Sequence, residues 1–247
     1  MGLIDKETFV CIDCETTGLD ADKDHIIEVA AMRFNEHEVF AEFDSLVNPE
    51  CVIPETSIAI HHITQEMVMS KPTIVQILPD LLDLIGRHII IGHSIKFDIE
   101  IIAKAADRFG IPHRLRENRF LDTLRMARLY GESPINSLEQ LRQHFNIQYE
   151  GVHRAMSDVI VNREVFKYLA KRFKTTEQLF EALSRPIQMK AMPLGKHKGR
   201  PIKELPLDYL LWAARKDFDD DLLYTLRTEI NRRKKGNLFS SNPFIEL

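Results

Sequence analysis

The sequence predicts a mixed α/β sheet flanked by helices, followed by a small α+β unit. Three observations carry this. Three apolar, β-branched runs come first with no helical segment between them: Thr8–Cys14, Ile26–Phe34 and Val39–Val47. Two further short apolar runs then alternate with segments of helical periodicity, as parallel strands joined by crossover helices do. The charge also changes sign along the chain. Residues before Arg185 include 20 basic and 29 acidic side chains, and those from Arg185 onward include 13 and 8, which points to two units with different electrostatic roles.

Each element follows from its own residues. Thr8–Cys14 (TFVCIDC) reads as a strand buried on both faces. Ile26–Phe34 and Val39–Val47, separated by the polar Asn35–Glu38, read as a hairpin paired with it. Pro49 and Pro54 break the chain, and Thr64 followed by Gln65 and Glu66 marks a helix start. Thr73–Gly86 places Ile74, Ile77, Leu78, Leu81, Leu82 and Ile85 on one helical face, with Pro79 the residue at odds. His88–Gly92 reads as a second buried strand, Phe97–Phe109 as a helix, and Arg119–Asp122 as a short strand leading into a helix to Tyr130. Ser137–Phe145 opens with Ser at the N-cap and Gln140 three residues on, a capping box. Ala155–Phe173 aligns Ala155, Val159, Asn162, Phe166 and Leu169 as a long core-facing helix. A boundary falls near Arg185–Met192. Residues 1–184 then form one domain and 190–236 a small basic one, built from GKHKGRPIKELP and helices over Leu207–Lys216 and Asp219–Lys235; 237–247 is a flexible tail.

Composition narrows the function classes. With 44% hydrophobic and 28% charged residues over 247 positions, the chain is not a disordered one. A net charge of −4 argues against gripping duplex nucleic acid by bulk electrostatics. Three cysteines (Cys11, Cys14, Cys51) make no disulfide framework. The apolar stretch Leu81–Gly92 is interrupted by Asp83, Arg87 and His88, so no membrane span is expected, and MGLIDKETF has no secretory pattern. The expected location is the cytoplasm.

The chemistry concentrates in three places. Asp13 and Glu15 sit two apart in a strand, so both point to one face. Two carboxylates at a buried strand end repel and lose hydration, and a divalent cation with a preference for oxygen ligands relieves both. Thr16-Thr17-Gly18 follows as a tight turn. Asp98 opens a helix just past the second buried strand; alone, it need only complement that helix's N-terminus. His153 precedes the long helix and Asp158 lies on its first turns, a third carboxylate beside a base near neutrality. Cys11-x-x-Cys14 has metal half-site spacing, but i and i+3 on a strand face opposite ways.

FVCIDCETTG, HSIKFD and HRAMSD, in this order and spacing, resemble the three motifs of the DEDDh (DnaQ-like) 3′→5′ exonucleases over about Thr8–Arg172, most nearly the proofreading epsilon subunits of bacterial DNA polymerase III. The resemblance implies an RNase H-like fold, with a five-stranded mixed sheet and helices on both sides. It implies that Asp13, Glu15, Asp98 and Asp158 hold two Mg²⁺ or Mn²⁺ ions and that His153 is the general base. Thr16, Thr17, Leu19, Phe97 and His61 (in AIHHIT) would contact the terminal nucleotide. FLDTLRMARL resembles another shared segment, in which Asp122 is read as structural. Ser94 and His62 depart from the family pattern, where Asn and Gly are usual. The implied substrate is a single-stranded or frayed DNA 3′ end, in proofreading or repair. RNA 3′-end trimming is the alternative with the same chemistry, and a non-catalytic interaction module the alternative of another class. MPLGKHKGRPIKELPLDYLLWAARK resembles a small domain appended to such exonucleases, with Lys196, Lys198 and Arg200 as candidate nucleic-acid contacts and Trp212 read as core in preference to a base-stacking platform. The tail NLFSSNPFIEL is a candidate dock for a polymerase subunit or sliding clamp.

Overall fold

The computed structural model describes residues 2–130, 135–148 and 154–240. Contacts divide the chain into two units: residues 1–126 with 137–180, and residues 127–136 with 181–247. The stretch 127–136, which the sequence reading kept in the first domain, thus belongs to the second unit.

The first unit is built on one five-stranded sheet in the order β3-β2-β1-β4-β5. β1 (Phe9–Thr16), β2 (Ile26–Phe34) and β3 (Val39–Leu46) pair antiparallel, while β4 (Ile89–Gly92) and β5 (Phe120–Asp122) continue parallel to β1. The connection from β3 to β4 contains α1 (Glu55–His61), α2 (Gln65–Val68) and α3 (Ile74–Ile85), and that from β4 to β5 contains α4 (Lys96–Arg108). α5 (Thr123–Tyr130) follows β5, and α6 (Leu138–His144), α7 (Ala155–Ala170) and α8 (Thr176–Leu183) complete the series. This is the five-stranded, helix-flanked RNase H-like sheet that the motifs implied.

Alternation along β1 decides what each face of the sheet does. Val10, Ile12 and Cys14 face the apolar cluster that contains α3 and α4 residues such as Leu78, Leu81, Ile101 and Ile102. Phe9 faces the other way and meets Phe166 of α7 edge-on at 4.9 Å, with Phe34 of β2 completing the trio. The same alternation directs Asp13 and Glu15 to the α7 side. One end of that face is therefore aromatic core and the other carries carboxylates.

Several expectations are corrected. β1 runs two residues past Cys14, because Glu15 pairs with Glu28 before a bulge interrupts the ladder at Thr16. α1 and α8 form where no helix was predicted. Ser137 makes no side-chain cap on α6. The reciprocal arm forms instead at α3, where the Thr73 N–H donates to Gln76 Oε1 at 2.8 Å. Pro79 is accommodated inside α3.

In the second unit, α9 (Leu207–Ala213) and α10 (Asp220–Ser240) enclose a core of Met192, Ile202, Leu205, Leu210, Leu222 and Leu226. Helix α10 continues through residues 237–240, which the sequence reading assigned to a loose tail; the rest of that tail, 241–247, lies outside the described residues. Arg128 is buried and bonds Asp219 and Asp221 at 2.7 and 3.3 Å, and Asp221 in turn accepts the Ile187 N–H at 3.0 Å. No described helix is long and apolar enough to cross a membrane.

Candidate active site

Asp13, Glu15 and Asp158 come together: one carboxylate oxygen from each lies within 4.8 Å of the others. Two elements produce this. β1 supplies Asp13 and Glu15 from one face, and the first turn of α7 supplies Asp158, whose N–H donates to the Arg154 carbonyl. Below Asp158, Asn162, Val165, Phe166 and Leu169 form the buried stripe that seats α7 on the sheet.

The electrostatics of the cluster are unfavourable for bare carboxylates. Burial pushes Glu15 up to about 7, helped by Asp158 and Glu28 and opposed by Arg154. Burial also holds Asp13 well above the usual carboxylate range, with Asp98, Asp158, Glu15 and Glu28 all adding to the effect. A set of oxygen ligands that resists ionisation without a counter-charge suits a hard divalent cation.

Asp98 stands beside this group rather than in it. Its Oδ1 accepts the Cys14 N–H at 3.0 Å, and burial pushes its carboxyl up to about 8 despite the backbone N–H groups that favour the charged form. Its charge nonetheless acts on Asp13. The structure thus groups three of the four expected carboxylates and places the fourth next to them. His153 lies outside the described residues.

The nucleotide-contact candidates are placed unevenly. The Thr16 hydroxyl donates to the Gly18 carbonyl at 2.6 Å. The Thr17 hydroxyl donates to Asp24 and accepts from the His25 N–H. Both hydroxyls therefore shape the turn after β1. A side chain at Gly18 would place its Cβ 2.5 Å from Asp24 Oδ2, so the Asp24 carboxylate would have to move from its bonds to Thr17 and the Asp20 N–H. Leu19 is 88% exposed at the tip of this turn, and Phe97 packs against the core. His61 is buried, and its Nδ1 accepts the Ile63 N–H at 3.0 Å, which leaves the proton on Nε2. That Nε2 has no partner among the described residues. Asp122 holds two backbone groups, its Oδ1 accepting from the Ser94 and Leu124 N–H groups.

Sequence reasoning missed Glu28. It sits opposite Glu15 across the β1–β2 ladder and is 1% exposed. Arg154 donates to both of its oxygens, at 2.6 to 3.1 Å, and the Ala155 N–H donates to Oε2 at 2.9 Å. Glu28 thus ties the start of α7 to the sheet three residues before Asp158. The available signal was a carboxylate in the middle of an otherwise apolar strand, IIEVAA.

Comparison with known proteins fits this geometry. An exonuclease family model matches residues 10–166, from the first residues of β1 into α7. The chain belongs to the exonuclease family. Among curated relatives, the DNA polymerase III subunit epsilon of Aquifex aeolicus is 35% identical over 161 residues, covering 64% of this chain and 78% of that protein. A PolC-type DNA polymerase III of Clostridium perfringens is 28% identical over 221 residues, covering 89% of this chain but 15% of its own length. Two solved structures share the fold across 71% of the chain. Exonuclease X in complex with 5′-overhanging duplex DNA has a TM-score of 0.58 at 22% identity and is covered over 99% of its length. The Escherichia coli exonuclease I complex with single-stranded DNA has a TM-score of 0.60 at 22% identity and is covered over 42%. A second family model, named for a quorum-sensing-regulated virulence factor, matches residues 180–230.

Proposed function

We propose that this exonuclease removes nucleotides from the 3′ end of single-stranded or frayed DNA, in proofreading or repair. The grouping of Asp13, Glu15 and Asp158 at the mouth of β1 carries the reading. With Asp98 they would hold two Mg²⁺ or Mn²⁺ ions. Such a pair supplies an activated water and offsets charge on the leaving 3′ oxygen. His153, preceding α7, would take the proton from the attacking water. The remaining contacts are assigned to the protein's own groups. The exposed Leu19 lies against the terminal base, the His61 Nε2–H donates to the terminal nucleotide, and Phe97, Thr16 and Thr17 support the pocket.

The relatives guide the choice of polymer and setting: one is a polymerase III subunit, and the structural neighbours are bound to DNA. A cytoplasmic location, a polymerase subunit or sliding clamp as partner, and a separate nucleic-acid role for residues 190–236 complete the proposal. DNA and RNA strands of one sequence, labelled at either end, test it with Mg²⁺, Mn²⁺ or EDTA. Stepwise, metal-dependent shortening of DNA from the 3′ end is expected. Faster shortening of RNA would move the assignment to RNA trimming, and binding without turnover would move it to an interaction module.

A further inference from the structure

Trp212 was read from the sequence as core, and the structure corrects this: it is 52% exposed. Leu210 and Ala213 take the buried face of α9, which leaves Trp212 on the surface and Tyr209, one helical turn before it, half-buried against that core with the His197 ring edge-on at 4.4 Å. Their ring centroids lie 5.5 Å apart with planes inclined by 35°. On one side they line a cavity of about 590 Å³ with Leu194, Pro206 and Phe218; on the other side of Trp212 lies a second cavity of about 310 Å³.

Cations edge both cavities. Lys196 lines the larger one, its Nζ 5.5 Å from the Tyr209 ring centroid, beside His197, which desolvation and the neighbouring Arg200 and Lys196 hold below the usual histidine range and so favour in its neutral form. Arg215 and Lys216 line the smaller, with Lys216 Nζ 4.9 Å from the Trp212 ring centroid. Asp208 lines both. Residues 190–216 contain seven Lys or Arg against two acids. The turn that presents Lys196 is built by Gly195 and Gly199, both at positive φ (69° and 81°). Arg200, also a candidate contact, instead braces this turn through His197 and the Glu204 carbonyl.

The exposed Trp212 ring and the half-buried Tyr209 beside it, set among cations, fit a ligand with flat apolar rings and regularly spaced negative charges. We propose that Tyr209 and Trp212 form a stacking platform for unpaired bases of single-stranded DNA, with Lys196, Arg215 and Lys216 taking the adjacent phosphates. A paired base cannot offer its face in this way, and an apolar peptide gains nothing from the cations. The choice of DNA rests on the function proposed above.

Trp212 is the sole tryptophan of the chain, so its emission reports this site alone. The full-length protein in EDTA is titrated with labelled oligothymidylate, following Trp212 emission and label anisotropy together. Quenching that saturates with the anisotropy is expected. Trp212→Ala and Tyr209→Leu should each weaken binding about tenfold, in line with the loss of one stacked base. Lys216→Gln should lower the salt dependence of binding. Binding by anisotropy without any change in Trp212 emission overturns the platform and leaves the exonuclease reading standing. Quenching by a strand that is not shortened in Mg²⁺ or Mn²⁺ supports the platform and overturns that reading. Tighter binding of oligouridylate overturns the commitment to DNA, and no binding of either strand overturns the proposal.

Discussion

Replacing Glu28 by Ala tests how the site is assembled without touching a proposed metal ligand. The change removes the acceptor for Arg154 and for the Ala155 N–H at the start of α7. Breaking a buried charged pair by removing one partner costs about 3–5 kcal/mol. The Arg154 side chain is 45% exposed, so it regains water and the cost falls toward the low end. The Ala155 N–H is buried and adds about 1 kcal/mol or more when unpaired. A net loss of about 4 kcal/mol is expected by urea denaturation, a large share of an ordinary stability of about 5–15 kcal/mol. Because Asp158 is carried by the same first turn, turnover measured well below the midpoint should fall at least tenfold, roughly what a sub-ångström misplacement costs. Glu28→Gln keeps an acceptor oxygen and should lie between the two. Stability within about 0.5 kcal/mol of the parent, together with unchanged turnover, would refute the claim that Glu28 seats α7.

Three further predictions follow from individual features. In EDTA, Glu15 and Asp98 bind protons more tightly folded than unfolded, so their contribution is complete below about pH 4 and is lost as pH rises through about 7 to 8; thermal stability should fall across that window and be restored by divalent cation, and a flat profile contradicts this. His62 and Ser94 hold left-handed backbones (φ 58° and 62°), so His62→Gly and Ser94→Asn should each stabilise by a few tenths to about 1 kcal/mol in chemical denaturation. Phe166→Ala opens the aromatic trio and should cost about 3–5 kcal/mol by the same measurement.

The left-handed pair also shows what could be read in the sequence and what could not. Both departures from the family pattern, His62 and Ser94, fall at positive φ, where the usual Gly and Asn are at ease. The motif comparison located these positions, but only the backbone explains them. β1, β2 and β4 were legible because their apolar runs are largely buried, and β2 begins and ends where its pattern predicts; β3, whose residues are exposed or half-buried, was legible only as the partner of β2 in a hairpin. The end of β1 was not, because Glu15 is held in the ladder by pairing with Glu28, a long-range contact that no local pattern reveals. α1 has seven residues, starts behind Pro54 and leaves Ile60 60% exposed, so it carries no clean helical period. Trp212 misled because period alone does not say which of two adjacent stripes on α9 is buried.

The three carboxylates themselves were legible through alternation and motif spacing; their convergence required α7 to be seated by Phe166 and Glu28. If this convergence is a divalent-cation site that performs hydrolysis, the cation should be seen there. Crystals soaked in Mn²⁺ and examined by anomalous scattering test it most directly. Mn²⁺ is expected to be bound by Asp13, Glu15 and Asp158 at oxygen-ligand distances and to be lost, together with 3′-end hydrolysis, in Asp13→Ala. Mn²⁺ bound elsewhere while those carboxylates stay empty, or full hydrolysis by Asp13→Ala, would contradict it.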